Sequence, residues 1–515
     1  MTQPAKRKVL FISADQWRAE CLSILGHPVV QTPNIDRLAR DGVLFREHYA
    51  QATPCGPART SMLTGLYLMN HRSGRNGTPL DARHTNLALE ARRGGYDPTL
   101  FGYTDTSADP RGRDPNDPAL TTYEGPMPGF TVGMLFPDHA KPWMAYLKSR
   151  GYDFPNGRAD AYKPRPGFNL PPGRGFRAIP TIFSDADSET TFMADTFLDW
   201  VSVRREENWF AHVVFLRPHP PIIAPEPWNM LYDPADMPPT PRAASLEAEG
   251  AQHPYLAYKL SRIRPGDGYD EHNPLDFARL GDLDLRQLKA TYYAMMTQVD
   301  VQIGRIIDHL KATGEYDETL IVFTCDHGEM LGEHHCWGKQ VYFEPSFHIP
   351  LIVRDPGANT TRGTQVAQFT EAVDIMPTIL DWLGLKIPHT CDGHSLLPFI
   401  AGSEPASWRK EARSEHDFSD IPDQDPETAL GLHSNECSYA VIRDRRWKYV
   451  HFAALPPLLF DIQNDPNEMH NLAADPAHAG VMLDYAQKML SWRLRHAERT
   501  LTHMQLTARG VVARA

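Results

Sequence analysis

Val9-Leu10-Phe11-Ile12-Ser13-Ala14-Asp15-Gln16 decides how this chain folds. The residues up to Ala14 are apolar or small and show no alternation. That pattern predicts a strand buried on both faces, as in the middle of a parallel sheet. Asp15-Gln16 ends the run. Polar groups at the carboxyl end of such a strand stand where open α/β sheets keep their ligands, although an aspartate there also makes a good helix cap. A second run of the same texture, Leu320-Ile321-Val322-Phe323-Thr324-Cys325, ends in Asp326-His327-Gly328-Glu329. If both strands lie centrally in one parallel sheet, both polar pairs emerge at the same edge. Two carboxylates side by side repel unless a cation sits between them.

Working outward, Thr32 is a plausible cap for a helix with Pro33 in its first turn, closed by Gly42, and residues 43–49 read as a strand. A helix is predicted over 84–94 and a strand over 98–102, which ends in Tyr103-Thr104-Asp105. A helix over 188–203 precedes a strand over 209–216, which runs into Arg217-Pro218-His219. The apolar face made by Tyr292, Met295, Met296, Val299, Ile303, Ile306, Ile307 and Leu310 predicts a long core helix over 288–311. A strand over 350–353 and a helix over 373–383 follow. Residues 107–181, and a second stretch ending near Asp284, are rich in Pro and Gly and are read as irregular covers or oligomer contacts. Beyond residue 385 the texture changes to short strands at 438–442, 448–452 and 459–462 and a terminal helix with Met482, Tyr485, Met489 and Trp492 on one face. The expected fold is α/β: a large, mostly parallel central sheet flanked by helices over 1–385, then a smaller α+β domain with an antiparallel sheet over 386–515.

Between the first strands lies Pro54-Cys55-Gly56-Pro57-Ala58-Arg59-Thr60-Ser61-Met62-Leu63-Thr64-Gly65. Proline is favoured in a first helical turn, so Cys55 is predicted at or just before a helix N-terminus. The free N–H groups and positive dipole end there suit an anion. A lone buried cysteine is otherwise a small apolar residue, and an arginine early in a helix is otherwise a solvated charge.

Of the 515 residues, 41% are hydrophobic and 23% charged, the balance of a globular chain. The formal net charge of -12 argues against a nucleic-acid partner. The cysteines, at 21, 55, 325, 336, 391 and 437, are scattered and form no Cys-x-x-Cys pair, which reads as reduced thiols in a cytoplasmic protein. Residues 1–8 are polar and basic, and the apolar run after them is too short for a signal peptide. No apolar run reaches transmembrane length, so no membrane partner is expected.

The spacing Cys55-x-Pro57-x-Arg59 resembles the signature of the sulfatases. The order Asp15, Cys55, Pro218-His219, Asp326-His327-Gly328-Glu329, Lys339 and Leu459-Phe460-Asp461 is similar to the sulfatase branch of the alkaline phosphatase superfamily over nearly the whole chain. Within that branch, Leu66-Tyr67-Leu68-Met69-Asn70-His71-Arg72, Arg217-Pro218-His219-Pro220-Pro221, His451 to Pro457 and Leu490-Ser491-Trp492-Arg493-Leu494 resemble the bacterial phosphonate monoester hydrolases. The resemblance implies an alkaline-phosphatase-like sandwich and a formylglycine made from Cys55 by a formylglycine-generating enzyme. It also implies a homotetramer and hydrolysis of phosphonate monoesters and phosphodiesters through a covalent ester on residue 55, with some turnover of sulfate esters.

Asp15, Gln16, Asp326, His327 and the oxygen derived from Cys55 become the expected metal ligands. The imidazole argues against an all-oxygen calcium site and the hard oxygens favour manganese, with zinc, iron and calcium as alternatives. Cys55, Arg59, His219 and Lys339 are carried over as catalytic, and Asn76, Tyr103 and Asp105 as substrate-binding; Arg59, Asn76 and Lys339 are expected to hold the substrate's nonbridging oxygens. Many sulfatases carry Gly-Lys-Trp-His where this chain has Gly102-Tyr103-Thr104-Asp105. The missing lysine favours a singly charged small anionic ester, and Asp105 stands where the hydrolases lead one to expect threonine. Two other functions fit the same residues: an aryl- or choline-sulfatase, and a non-catalytic metal-binding relative with Cys55 as a plain thiol.

Overall fold

The computed structural model describes residues 7–137, 139–263 and 275–513. The basic lead-in read at residues 1–6, and the part of the second irregular stretch at 264–274, lie outside the described residues. The strands are Lys8–Asp15 (β1), Val43–Tyr49 (β2), Ala52–Thr53 (β3), Pro98–Gly102 (β4), Thr131–Leu135 (β5), Phe210–Pro218 (β6), Thr319–Cys325 (β7), Leu351–Arg354 (β8), Thr364–Glu371 (β9), Ala412–Asp417 (β10), Ser438–Arg443 (β11), Trp447–Phe452 (β12), Leu458–Asp461 (β13), Met504–Thr507 (β14) and Gly510–Ala513 (β15).

Eight of these form one sheet in the order β5-β4-β6-β1-β7-β8-β2-β9. All its pairings are parallel except the two made by β8. The strands at its centre, β6, β1 and β7, are buried along their whole length, which is why they carry unbroken apolar runs. The second sheet, β13-β12-β11-β10-β3, is antiparallel apart from the short parallel pairing of β10 with β3. A large, mostly parallel sheet joined to a smaller antiparallel one is the architecture that the sequence predicts. The small sheet draws β3 from the N-terminal part of the chain, only two residues before Cys55.

Register decides what meets at the carboxyl edge. Ala14 pairs with Cys325, so Asp15 and Asp326 follow side by side. On the other flank Asp15 pairs with Pro218 across an irregularity, which brings His219 to the same edge. Phe101 pairs with Val213 one strand further out, so Tyr103 leaves β4 there too.

The predicted long helix extends over Asp282–Thr313 and is packed through Tyr292, Met295, Met296, Val299 and Ile303. The terminal helix, Ala479–Arg495, buries Tyr485, Met489 and Trp492 against Tyr67 and Val373. Six strands, β3, β5, β9, β10, β14 and β15, escaped the periodicity reading. β5 lies inside a stretch read as irregular because it is a mostly exposed edge. β10, Ala-Arg-Ser-Glu-His-Asp, is almost wholly buried yet polar, because distant groups satisfy its side chains: Ser414 Oγ donates to Ala50 O at 2.6 Å and Glu415 Oε2 accepts from Met69 N at 3.0 Å.

Thr32 occupies the N-cap position of the helix Pro33–Asp41, but its side chain does not cap it. Asp300, from the middle of the long helix, takes that role. Its carboxylate accepts from Asn34 N at 3.0 Å, Ile35 N at 2.7 Å and Asn34 Nδ2 at 2.8 Å. Thr32 Oγ1 donates instead to Asp36 Oδ1 at 3.1 Å. A long-range cap ties two helices together, so Asp300→Ala should lower stability by about 1–3 kcal/mol. Thr32→Val should cost less. Comparing chemical-denaturation midpoints of the two variants checks this ordering.

Candidate active site and metal centre

Cys55 is the first residue of the helix Cys55–Thr64, which has no side-chain cap at its N-terminus. Its neighbour has little room for a side chain: a Cβ on Gly56 would lie 3.0 Å from both Asn76 Oδ1 and Asp105 O. That close approach lets Gly56 N–H donate to Asn76 Oδ1 at 2.9 Å. One of the free helix-end donors is thereby used, and the Asn76 side chain is oriented.

The helix end points at the strand edge. Ligand atoms of Asp15, Cys55, Asp326 and His327 all lie within 4.8 Å of one another, and all four residues are buried. His327 Nε2 stands 3.1 Å from Cys55 Sγ, 3.5 Å from Asp326 Oδ2 and 3.7 Å from Asp15 Oδ1. Its Nδ1 is 3.1 Å from Gly328 O, a pairing that places the proton on Nδ1 and leaves the Nε2 lone pair facing the cluster. Asp15 Oδ1 is buried without a hydrogen-bond partner. Two carboxylates, an imidazole lone pair and the side chain at 55, with one carboxylate oxygen left over, form a donor set that fits a divalent cation.

Arg59 closes the cluster from behind. Its Nε donates to Asp326 Oδ2 at 3.0 Å, Nη2 to Asp15 Oδ2 at 2.8 Å and Nη1 to Tyr103 O at 2.7 Å. Tyr103 OH adds a donor to Asp15 Oδ2 at 2.7 Å, and its ring lies 4.1 Å from the guanidinium. The role anticipated for Arg59 was contact with the substrate's oxygens. Here it holds the two acids.

The electrostatics are uneven. Burial, then Asp326, pushes the Asp15 carboxyl up. Burial acts on Asp326 too, but His327, Arg59 and Lys339 outweigh it and hold that carboxyl below its usual range. Burial takes His327 down to about 4, against the pull of Asp326. Burial and the Asp15 charge push the Cys55 thiol well above its usual value, the opposite of what a thiolate nucleophile needs. Asp105, raised by burial against the pull of Arg59, reaches about 7.

Asp15, Cys55, Asn76, Tyr103, Asp105, His219 and Lys339 line one cavity of about 960 Å³. Gln16 turns its side chain to Lys339 and Glu329: Oε1 accepts from Lys339 Nζ at 2.8 Å and Nε2 donates to Glu329 Oε2. Glu329 had been quoted without a role. Its Oε1 accepts from Leu331 N at 2.9 Å and Gly338 N at 2.8 Å, so it ties the end of β7 to the turn that carries Lys339. His334 and His335 hold their loop, on Glu249 Oε1 at 2.8 Å and Ala243 O at 2.9 Å. Sequence reasoning missed the outer wall of the cavity, which includes Arg75, Arg158, Tyr255, Lys259, Trp337 and His416. Tyr255 and Lys259 come from the helix Pro254–Ser261, Arg158 from the short helix Arg158–Ala161, His416 from polar β10 and the others from loops, and no motif spacing marks them.

A family model described as Sulfatase matches residues 7–385, and one described as N-sulphoglucosamine sulphohydrolase, C-terminal, matches residues 332–495. The multifunctional alkaline phosphatase superfamily protein PehA of Trinickia caryophylli is 44% identical over 519 residues, with 99% of each chain covered. The solved structure of the phosphonate monoester hydrolase of Agrobacterium radiobacter is 50% identical with a TM-score of 0.95, covering 99% of this chain and 100% of that one. That of the phosphonate monoester hydrolase from Silicibacter pomeroyi is 43% identical with a TM-score of 0.93, covering 99% of each.

The geometry ranks the cluster's residues by their effect on cation affinity. Asp15→Asn should abolish retention of a divalent ion through dialysis. Tyr103→Phe, which removes only a donor to that carboxylate, should weaken affinity about 10–100-fold. Elemental analysis and metal titration of the two variants check the order.

Proposed function

This chain belongs to the sulfatase family, and from that premise we propose that it hydrolyses phosphonate monoesters and phosphodiesters, with sulfate esters as secondary substrates. The observation that carries the proposal is the buried cluster of Asp15, Cys55, Asp326 and His327 opening into one cavity with His219 and Lys339. Its support is near-complete coverage by two phosphonate monoester hydrolases at 50% and 43% identity. A non-catalytic plain-thiol relative is the weaker reading, because the two solved structures that match nearly the whole chain are of hydrolases.

Asp15, Asp326, His327 and residue 55 would hold a divalent ion, for which the mixed oxygen and nitrogen set favours manganese. With the ion bound and Cys55 converted to formylglycine, the site would have a Lewis acid and a hydrated aldehyde whose hydroxyl attacks phosphorus or sulfur. The chain's own residues do the rest. Arg59 keeps both carboxylates in place. Lys339, held by Gln16, donates to the oxygens of the substrate and of the departing alcohol. His219 lies 2.7 Å from Pro220 O through Nδ1, so its proton sits there and the Nε2 lone pair can act as an acceptor. Burial and then Lys339 push His219 well below its usual value, which suits a neutral base at residue 55 better than an acid toward the leaving group. Asn76 completes the cradle at the helix end.

The division at residue 385 into a catalytic and a smaller domain, maturation by a formylglycine-generating enzyme and a cytoplasmic setting belong to the same proposal. Among the described residues no helix is long and apolar enough to cross a membrane, and all six cysteines are free. A homotetramer is supported by exposed Leu483, Leu490 and Leu494 on the terminal helix and by exposed Leu506, Val511 and Val512 on the β14–β15 hairpin.

One preparation should turn over a phenyl phosphonate ester and a phosphodiester faster than an aryl sulfate, measured side by side. The reverse order would favour the sulfatase reading. In the active enzyme the peptide spanning residue 55 should be lighter than its thiol form by the exchange of a sulfur and two hydrogens for one oxygen. His219→Ala should lower kcat by about 10²–10⁴-fold.

A further inference from the structure

Asp105 is a carboxylate in a site built for anions. It follows β4 by three residues, at a φ of 50° that aspartate tolerates better than most side chains. It is only 5% exposed and lines the cavity beside Cys55 and Asp15. Its Oδ2 lies 3.5 Å from Arg59 Nε, the nitrogen that already donates to Asp326 at 3.0 Å. Three carboxylates therefore share one guanidinium, and two of them hold its shorter contacts. Asp105 does not belong to the four-residue cluster that could hold an ion. When ionised, its charge is answered through that 3.5 Å contact with the shared Arg59 and by the more distant pull of Lys339. A charge so placed, in a buried wall facing the reacting group, acts on whatever anion enters.

We propose that Asp105 is a charge filter that admits singly charged esters and rejects doubly charged phosphate monoesters. The proposal rests on the hydrolase reading above and names the substrate class within it. Phosphonate monoesters, phosphodiesters and sulfate monoesters each carry one charge at neutral pH and pass. A phosphate monoester carries two and meets the carboxylate with one charge more. A sulfate monoester and a phosphate monoester each present three terminal oxygens on a tetrahedral centre, so between these two the filter discriminates by charge where size cannot.

The test compares the metal-loaded wild type with Asp105→Asn and Asp105→Glu, at a pH well above the value of about 7 that burial gives Asp105. The ratio of kcat/KM for 4-nitrophenyl phosphate to that for 4-nitrophenyl phenylphosphonate should rise about 10–100-fold in Asp105→Asn and stay near wild type in Asp105→Glu. Calorimetry should show tighter binding of inorganic sulfate, a dianion, to Asp105→Asn, with methanesulfonate, a monoanion, little changed. Equal factors on both esters and both inhibitors would overturn the filter, as would an unchanged sulfate affinity. If wild type hydrolyses neither ester, the hydrolase reading fails while the sulfate and methanesulfonate pair still decides the role of Asp105. Asp105→Thr, which is smaller, repeats the comparison should the asparagine variant not fold.

Discussion

The pairing of Ala14 with Cys325 is the constraint on which the rest depends. It forces two aspartates to leave adjacent strands at the same level, inside the protein. Buried like charges at that spacing repel strongly, and a fold that places them so needs positive charge at once. Arg59 supplies part of it from the first turns of a helix whose N-terminus faces the same point. The unpartnered Asp15 Oδ1 and the lone pair of His327 mark where the remainder is required. The structure around the pair is arranged by that need: β4 sends Tyr103 to Asp15, β6 sends His219 to the edge, and Glu329 fastens the turn bearing Lys339.

The central strands were legible because burial on both faces leaves a plain mark, an apolar run without alternation. β1, β6 and β7 carry it, and each ends in the polar residues that make the site. The neighbour relations were not legible. Nothing in Val9–Ala14 says that β7 will be its partner rather than β4, since parallel strands of one composition are interchangeable until helices and loops fix their order. β10 was hidden for a different reason. Its buried Ser414, Glu415 and His416 are satisfied by groups hundreds of residues away, so a window of sequence shows only polarity. Asp300 capping a remote helix is the same failure: a local rule named Thr32, and a tertiary contact supplied the acceptor.

Much of the site's chemistry could be read from residue types at strand ends, but the division of labour could not. Arg59 was expected to face the substrate and instead spends its donors on Asp15, Asp326 and the Tyr103 carbonyl. Gln16, expected among the ligands, directs its amide to Lys339 and Glu329. The aromatic and basic outer wall comes from short helices, loops and β10, scattered along the chain and brought together only by packing.

One small feature has a large reach in time. Thr53, two residues before Cys55, is held by His416, whose Nδ1 lies 2.9 Å from Thr53 O across a sequence separation of 363 residues. During synthesis the turn around Cys55 leaves the ribosome long before the strand that clamps it exists. For that interval the cysteine belongs to an open, accessible segment; afterwards it is 5% exposed, in the wall of the cavity. Any modifying enzyme that must touch this sulfur has its opportunity then, and the order of translation, not affinity for the finished surface, sets how long that opportunity lasts.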